Sequence, residues 1–173
     1  MKVRILSFDP GTASTGYSLL DGHTGTKFLQ LSQWGMIRTK KVAGGSSEVR
    51  ERIDAIGNEF REMVSEYKPT HVAVEDFTEQ GKFVGKTYKE MAWLTEHFRM
   101  VGRELGLEVA VYENGYWKKV LTGAMRLNKT QVQHYISTRL PQARELLEKQ
   151  PSHVWDSVGI GLCRFDLLLK TGG

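Results

Sequence analysis

Val3 to Asp9 places apolar residues on both faces of an extended segment, Val3 and Ile5 against Leu6 and Phe8. That pattern predicts a central strand covered from both sides, ending at Asp9-Pro10-Gly11. Tyr17 to Leu20, followed by Asp21-Gly22, and then Lys27 to Arg38 predict two more strands, so the chain opens as an antiparallel meander. A loop over 40–47 carries Gly44-Gly45-Ser46-Ser47. From Ser47, the residues Ile53, Ile56, Phe60, Met63, Val64 and Tyr67 recur at helical spacing until Pro69 stops them. His71 to Glu75 predicts a short buried strand. Residues 79–86 hold two glycines and no period, which predicts a mobile loop. Thr87 with Glu90 forms a capping box for a helix to about Leu105, with Met91, Leu94, Phe98, Val101 and Leu105 as its core stripe.

Glu108 to Tyr112 predicts another strand, and strand, helix, strand implies a right-handed parallel crossover. Asn114 and Asn128 are the expected N-caps of two further helices, and Ser152 caps a last one striped by Trp155, Val158, Leu162, Phe165 and Leu169. The expected fold is therefore α/β: a mixed five-stranded sheet, a three-strand antiparallel meander plus two parallel strands, with helices on both faces. The 173 residues suit one domain spanning 1–173.

Composition narrows the class of molecule. Forty per cent hydrophobic and 25% charged residues, with a net charge of +4, describe an ordinary globular chain and exclude compositional disorder. Apolar runs are far shorter than the roughly 20 residues of a membrane span, so no membrane partner is expected. No signal peptide is visible, and Cys163 is the sole cysteine, which excludes an intrachain disulfide and a thiolate zinc cluster. A cytoplasmic or nucleoid-associated location is expected. The charge is unevenly spread: from Tyr116 to Arg144 there are six basic residues (Lys118, Lys119, Arg126, Lys129, Arg139, Arg144) and no Asp or Glu, with Tyr116, Trp117 and Tyr135 interleaved. Such a segment suits a phosphate backbone, and equally a solvated basic face.

Two carboxylates, Asp9 and Glu75, end strands with apolar cores. Buried carboxylates held together repel one another and call for a cation. On the last helix His153 and Asp156 stand at i and i+3, displaced from the apolar stripe, and so share a face. Gly159 and Gly161 thin that helix, so that it lies close to the sheet and brings His153 and Asp156 toward Asp9 and Glu75. Three carboxylates and an imidazole suit Mg²⁺ or Mn²⁺, and two-metal phosphoryl chemistry follows as a candidate. Taken singly, the same residues also read as a turn, a surface carboxylate and an exposed first helical turn.

Phe8-Asp-Pro-Gly-Thr and Thr15-Gly-Tyr, Val74-Glu-Asp-Phe, Lys118 with Gly123, Lys129-Thr-Gln-Val-Gln-His and His153-Val-Trp-Asp-Ser-Val-Gly-Ile follow one another along the chain. In order and spacing these blocks resemble the RuvC family of Holliday junction resolvases. The resemblance implies an RNase H-like fold, a homodimer, two Mg²⁺ per site with Mn²⁺ able to substitute, and paired nicks across a four-way DNA junction that leave 5′-phosphate ends. It also implies branch-migration machinery as a further partner. Asp9, Glu75 and Asp156 match three acidic positions, and Lys118 and Lys129 match two lysines, Lys129 with a catalytic role. His153 stands where a fourth acidic residue is expected, as ligand or general base. A stacking aromatic is expected shortly after the glutamate, for which Phe77 and Phe83 are rivals; Lys82, Lys86, Lys119 and Arg126 complete the expected DNA contacts.

Other readings stay open on the residues themselves: a nuclease of the same fold acting on RNA or other branched nucleic acid, or a non-catalytic junction-binding protein. The Asp9-Pro-Gly-Thr segment also resembles the phosphate loop of the sugar kinase, Hsp70 and actin group, but 173 residues supply one lobe where those proteins need two. Finally, Trp93, His97 and Met100 form a second stripe on the helix from Lys86 to Leu105, beyond its core stripe, and are the expected dimer interface.

Overall fold

The structure, a computed structural model, describes residues 1–40, 46–76 and 86–172. Its elements are β1 (Lys2–Asp9), β2 (Ser14–His23), β3 (Phe28–Arg38), α1 (Ser46–Tyr67), β4 (His71–Asp76), α2 (Lys86–Glu104), β5 (Val109–Glu113), α3 (Asn114–Thr122), α4 (Lys129–Arg139), α5 (Pro141–Leu147) and α6 (Ser152–Thr171). The sheet runs β3-β2-β1-β4-β5, with β1 to β3 antiparallel and β1, β4 and β5 mutually parallel. This is the mixed five-stranded sheet that the sequence predicts.

Side chains alternate across a strand, and the two faces of the sheet carry separate cores. Leu6 and Phe8 of β1, Leu19 of β2, and Val72 and Val74 of β4 meet Ile53, Ile56 and Phe60 of α1 and Leu94 and Phe98 of α2. Val3 and Ile5 of β1, Leu20 of β2 and Ala73 of β4 meet α3 to α6 on the other face. Of these helices α6 is apolar almost all round, with Val154, Trp155, Val158, Ile160, Leu162, Cys163 and Phe165 buried, and it lies across β1 and β2.

Several boundaries differ from the expected ones for local reasons. Asp21-Gly22 does not turn the chain. The Asp21 carboxylate accepts from Arg4 Nε on β1 and from Ser32 Oγ on β3, both at 2.6 Å, so β2 is tied on both sides and runs to His23. The turn follows it, with Lys27 at φ 55°. Asn128 caps α4 in a full capping box with Gln131, as expected. Asn114 instead opens α3 after the N-cap Glu113, and Ser152 opens α6 after Pro151. The short helix α5 adds to the predicted elements; it starts on Pro141 and is held by buried Ala143 and Leu147. Leu105 falls beyond α2 and is exposed, and Leu168 takes the buried position expected of Leu169. The expected loop over 79–86 lies almost wholly outside the described residues, as does the side chain of Thr87 with its capping box.

Candidate active site

Asp9 and Glu75 are neighbours because β1 and β4 run parallel with Phe8 opposite Val74. The next residue on each strand then points to the face that α6 covers. Both carboxylates are buried, at 7% and 9% exposure, and lie within hydrogen-bonding reach of one another. From α6, His153 Nδ1 sits 2.6 Å from Asp9 Oδ2. The backbone makes this approach feasible at Gly16, which pairs with Asp9 across β1 and β2. A Cβ at Gly16 would fall 2.1 Å from the His153 carbonyl oxygen, so a side chain there would push the first turn of α6 off the sheet. Gly161 does as expected: its Cβ would meet Leu20 and Ser7 at 2.6 and 2.7 Å. Gly159 faces Trp117 of α3 rather than the sheet.

The cluster is electrostatically costly. Burial, and then the neighbouring Asp9, push the Glu75 carboxyl well above the usual carboxylate range, against a hydrogen bond from Trp117 that favours its charged form. Burial and Asp9 raise Asp156 to about 6, while Lys118, His153 and Lys129 pull it down. His153 is raised, chiefly by its hydrogen bond to Asp9 and against the cost of its burial. Glu75 and Asp156 are thus both disfavoured as anions by the neighbouring Asp9, which is the condition a bound divalent cation relieves. In the arrangement seen, the side chains close on one another, and among the described residues no three His, Cys, Asp or Glu side chains surround a metal-sized position. The oxygen-rich donor set fits Mg²⁺ or Mn²⁺, on condition that His153 releases Asp9.

Lys118 and Lys129 reach this field from two helices, each close enough to favour the Asp156 anion. Lys129 is exposed in the first turn of α4. Lys118 is half-buried: its ammonium donates to Asn114 Oδ1 at 2.7 Å and lies 5.1 Å from the Trp117 ring centroid. Lys119, Arg126 and Arg144 are exposed, but Arg139 is withdrawn from the basic segment by a two-point bond to Asp166 at 2.7 and 3.0 Å. Phe77, Lys82 and Phe83 lie outside the described residues, and Lys86 is the first residue of α2. On the opposite side of the molecule Trp93 and Met100 are exposed, at 47% and 40%. His97, between them, is half-buried and sits against α1 where Gly57 has no side chain.

Three residues of this region carry no sequence signal of their role. Gly16 is needed for the close passage of α6. Asn114 holds Lys118 rather than capping its helix. Trp117, interleaved with the basic residues like a nucleic-acid stacking aromatic, is 1% exposed and donates its indole N–H to Glu75 Oε1 at 3.1 Å.

Known proteins match over almost the whole chain. Residues 5–164 match the model of the family described as "Crossover junction endodeoxyribonuclease RuvC". A protein of that name from Pelotomaculum thermopropionicum is 30% identical over 162 residues, covering 92% of this chain and 90% of the relative. Among solved structures, Thermus thermophilus RuvC in complex with Holliday junction substrate has a TM-score of 0.78 at 20% identity, over 98% of this chain and 96% of that one. The structure described as that of Thermus thermophilus RuvC has a TM-score of 0.74 at 21% identity, over the same shares of the two chains. These two likenesses extend the agreement to the fold, which is RNase H-like. The chain belongs to the RuvC family of crossover junction endodeoxyribonucleases.

Proposed function

We propose that this protein resolves four-way DNA junctions by hydrolysing one phosphodiester on each of two opposing strands, leaving 5′-phosphate ends. The observation that carries the reading is the convergence of three carboxylates, Asp9, Glu75 and Asp156, with His153 at one end of the sheet, where Asp9 disfavours the charged forms of the other two. These four residues would hold Mg²⁺, two per site, with Mn²⁺ able to substitute. When bound, the metal supplies charge stabilisation to the phosphate and to the oxygen that leaves. The chain's own groups do the rest. With its proton lost to solvent and its bond to Asp9 released, His153 would serve with Asp9 as a ligand, or as the base that takes a proton from the attacking water. Lys129 neutralises charge at the scissile phosphate, and Lys118 balances Asp156. Lys118, Lys119, Arg126 and Lys129 contact the DNA backbone. Phe77 or Phe83, with Lys82 and Lys86, meets the junction on the segment that follows Glu75.

Symmetric cutting calls for two sites, and the reading supplies them by a homodimer through Trp93, His97 and Met100. Exposure of a tryptophan and a methionine beside a depression of about 310 Å³ supports that surface. The same reading puts the protein on the nucleoid in the cytoplasm, alongside branch-migration machinery. Among the described residues no helix is long and apolar enough to cross a membrane.

The decisive experiment is cleavage of end-labelled four-way junctions, linear duplex and RNA duplex by wild type and Asp9→Asn, with and without Mg²⁺. Wild type should cut the junction in the presence of Mg²⁺, and Asp9→Asn should bind it as tightly or more tightly without cutting. Cleavage by Asp9→Asn at the wild-type rate would sink the acidic-site reading. A preference for RNA duplex would transfer it to another substrate.

A further inference from the structure

Two buried tryptophans flank the candidate site, and a buried indole N–H needs an acceptor. Trp155 Nε1 takes a backbone carbonyl, that of Leu147 at 3.0 Å. Trp117 takes an oxygen of the site itself, Glu75 Oε1 at 3.1 Å.

The surroundings of Trp117 are fitted to that bond. On one side Gly159 of α6 leaves the space the ring occupies: a Cβ there would lie 2.6 Å from Trp117 Cζ3 and 3.1 Å from Cη2. On another, Lys118 Nζ lies 5.1 Å from the ring centroid, itself held by Asn114 Oδ1. The indole is thus clamped between α6 and its own helix, with its edge directed at the carboxylate. An apolar ring of similar size would fill the same volume but would leave Glu75 Oε1 without this donor.

We infer that Trp117 is a positioning residue for the metal site: its indole N–H fixes one oxygen of Glu75, so that the carboxylate presents the other to a divalent cation. The inference rests on the reading of Asp9, Glu75, Asp156 and His153 as metal ligands. Outer partners that hold a ligand in place commonly account for roughly ten-fold or more in metal affinity.

The test uses the full chain and Mn²⁺ binding by calorimetry in the absence of DNA. Trp117→Phe should bind Mn²⁺ roughly ten-fold more weakly while binding the junction normally in EDTA. In a ¹⁵N–¹H spectrum, the indole resonance that Trp117→Phe removes should move in Glu75→Gln. Gly159→Ala should lose both stability and Mn²⁺ affinity, because the added methyl displaces the ring. Adding Trp117→Phe to Gly159→Ala should restore stability, since the smaller ring accommodates the methyl, but not Mn²⁺ affinity. Recovered affinity in that double variant would show that packing matters and the N–H does not. Wild-type affinity in Trp117→Phe, or an indole resonance indifferent to Glu75→Gln, would equally overturn the inference. Asp9→Asn separates the two levels. If it binds Mn²⁺ like wild type, the metal-site reading fails and takes this inference with it. If it binds weakly while Trp117→Phe does not, the inference alone fails.

Discussion

Strand β1 presents two different chemistries to its two faces. Toward α1 and α2 it offers Leu6 and Phe8, and Phe8 meets Phe60 and Phe98 at ring-centroid distances of 5.3 and 4.8 Å. Toward α6 it offers Ile5, then Ser7, then Asp9, becoming more polar along the strand. Its neighbours change in the same way: Ala73 precedes Glu75 on β4, and Leu20 gives way to Ser18 and Gly16 on β2, running toward the site. One face gains from filling space with apolar side chains. The other gives up side-chain volume so that a helix can bring charge against the sheet. Both faces carry an apolar core, but on the α6 face it gives way to polar groups at the Asp9 end of the strands, one residue of strand register away from Phe8, so substitutions on the two faces there should fail in different ways.

The largest effect on stability should come from the apolar face. Phe8→Ala removes a fully buried ring from a three-ring cluster and should cost about 3–5 kcal/mol. On the other face Ser7→Ala loses the 2.8 Å bond to Ser18 Oγ and should cost about 1 kcal/mol. Urea midpoints measured side by side decide the matter. Equal losses for the two would erase the contrast.

Next in size is a gain on the site face. The folded-state pKa of Asp156, about 6, lies above an unfolded value of about 3.9. The folded protein therefore binds the proton more tightly, and stability falls as pH rises from about 4 through 6. His153, also raised in the folded state, acts in the same direction: its contribution is full below about 6.5 and is lost as pH rises through the higher folded value. Metal-free wild type should thus melt at a lower temperature at pH 8 than at pH 5. Asp156→Asn cannot ionise and should be more stable than wild type at pH 8, by on the order of 2 kcal/mol, with a flatter dependence on pH. Saturating Mg²⁺ should offset the loss in wild type and not in the variant. A melting profile that Asp156→Asn leaves unaltered would remove electrostatic strain from the account of this face.

The contrast also explains what could be read from the sequence. The apolar face was legible because Ile53, Ile56, Phe60, Leu94 and Phe98 obey helical period and Leu6 and Phe8 obey strand period. That Asp9, Glu75, His153 and Asp156 come together was legible because each ends a predicted strand or shares a helix face, and their motifs follow one another in order. The positioning residues were hidden, since nothing local distinguishes them. Gly16 depends on the passage of α6, which lies 137 positions further on at His153. Trp117 looks like its aromatic neighbours until α6 is placed over it. Asp21-Gly22 looked like a turn because its partners, Arg4 and Ser32, come from other strands.

Smaller in stability, but visible in assembly, is the outer surface of the apolar side. Trp93 is 47% exposed, with Arg50 5.8 Å from its ring centroid, so Trp93→Glu should change stability by no more than about 0.5 kcal/mol. In sedimentation it should nevertheless shift the proposed dimer to monomer, and nicks on opposing strands should lose their coordination. A Trp93→Glu protein that sediments as a dimer would move the interface elsewhere.

The smallest effect, and the finest discrimination, concerns the basic residues beside the site. Each backbone phosphate contact that is lost should reduce the slope of log affinity against log salt by about 0.9 for duplex arms. Lys129→Ala and Lys118→Ala should each show that change in metal-free junction binding, and Lys129→Ala should lose more in turnover than in affinity, because its proposed partner is the scissile phosphate. Arg139 belongs to the same acid-free stretch of sequence, yet its guanidinium is engaged at two points by Asp166. It is a charge already neutralised, so Arg139→Ala should leave the slope unchanged while costing stability through the unpaired Asp166. The three variants remove the same formal charge, so net charge alone predicts three equal slopes. Equal slopes would mean that the DNA senses the segment's overall field, whereas a slope altered by the two lysines and not by Arg139 would locate the phosphates beside the middle of α3 and the start of α4, near Asp156.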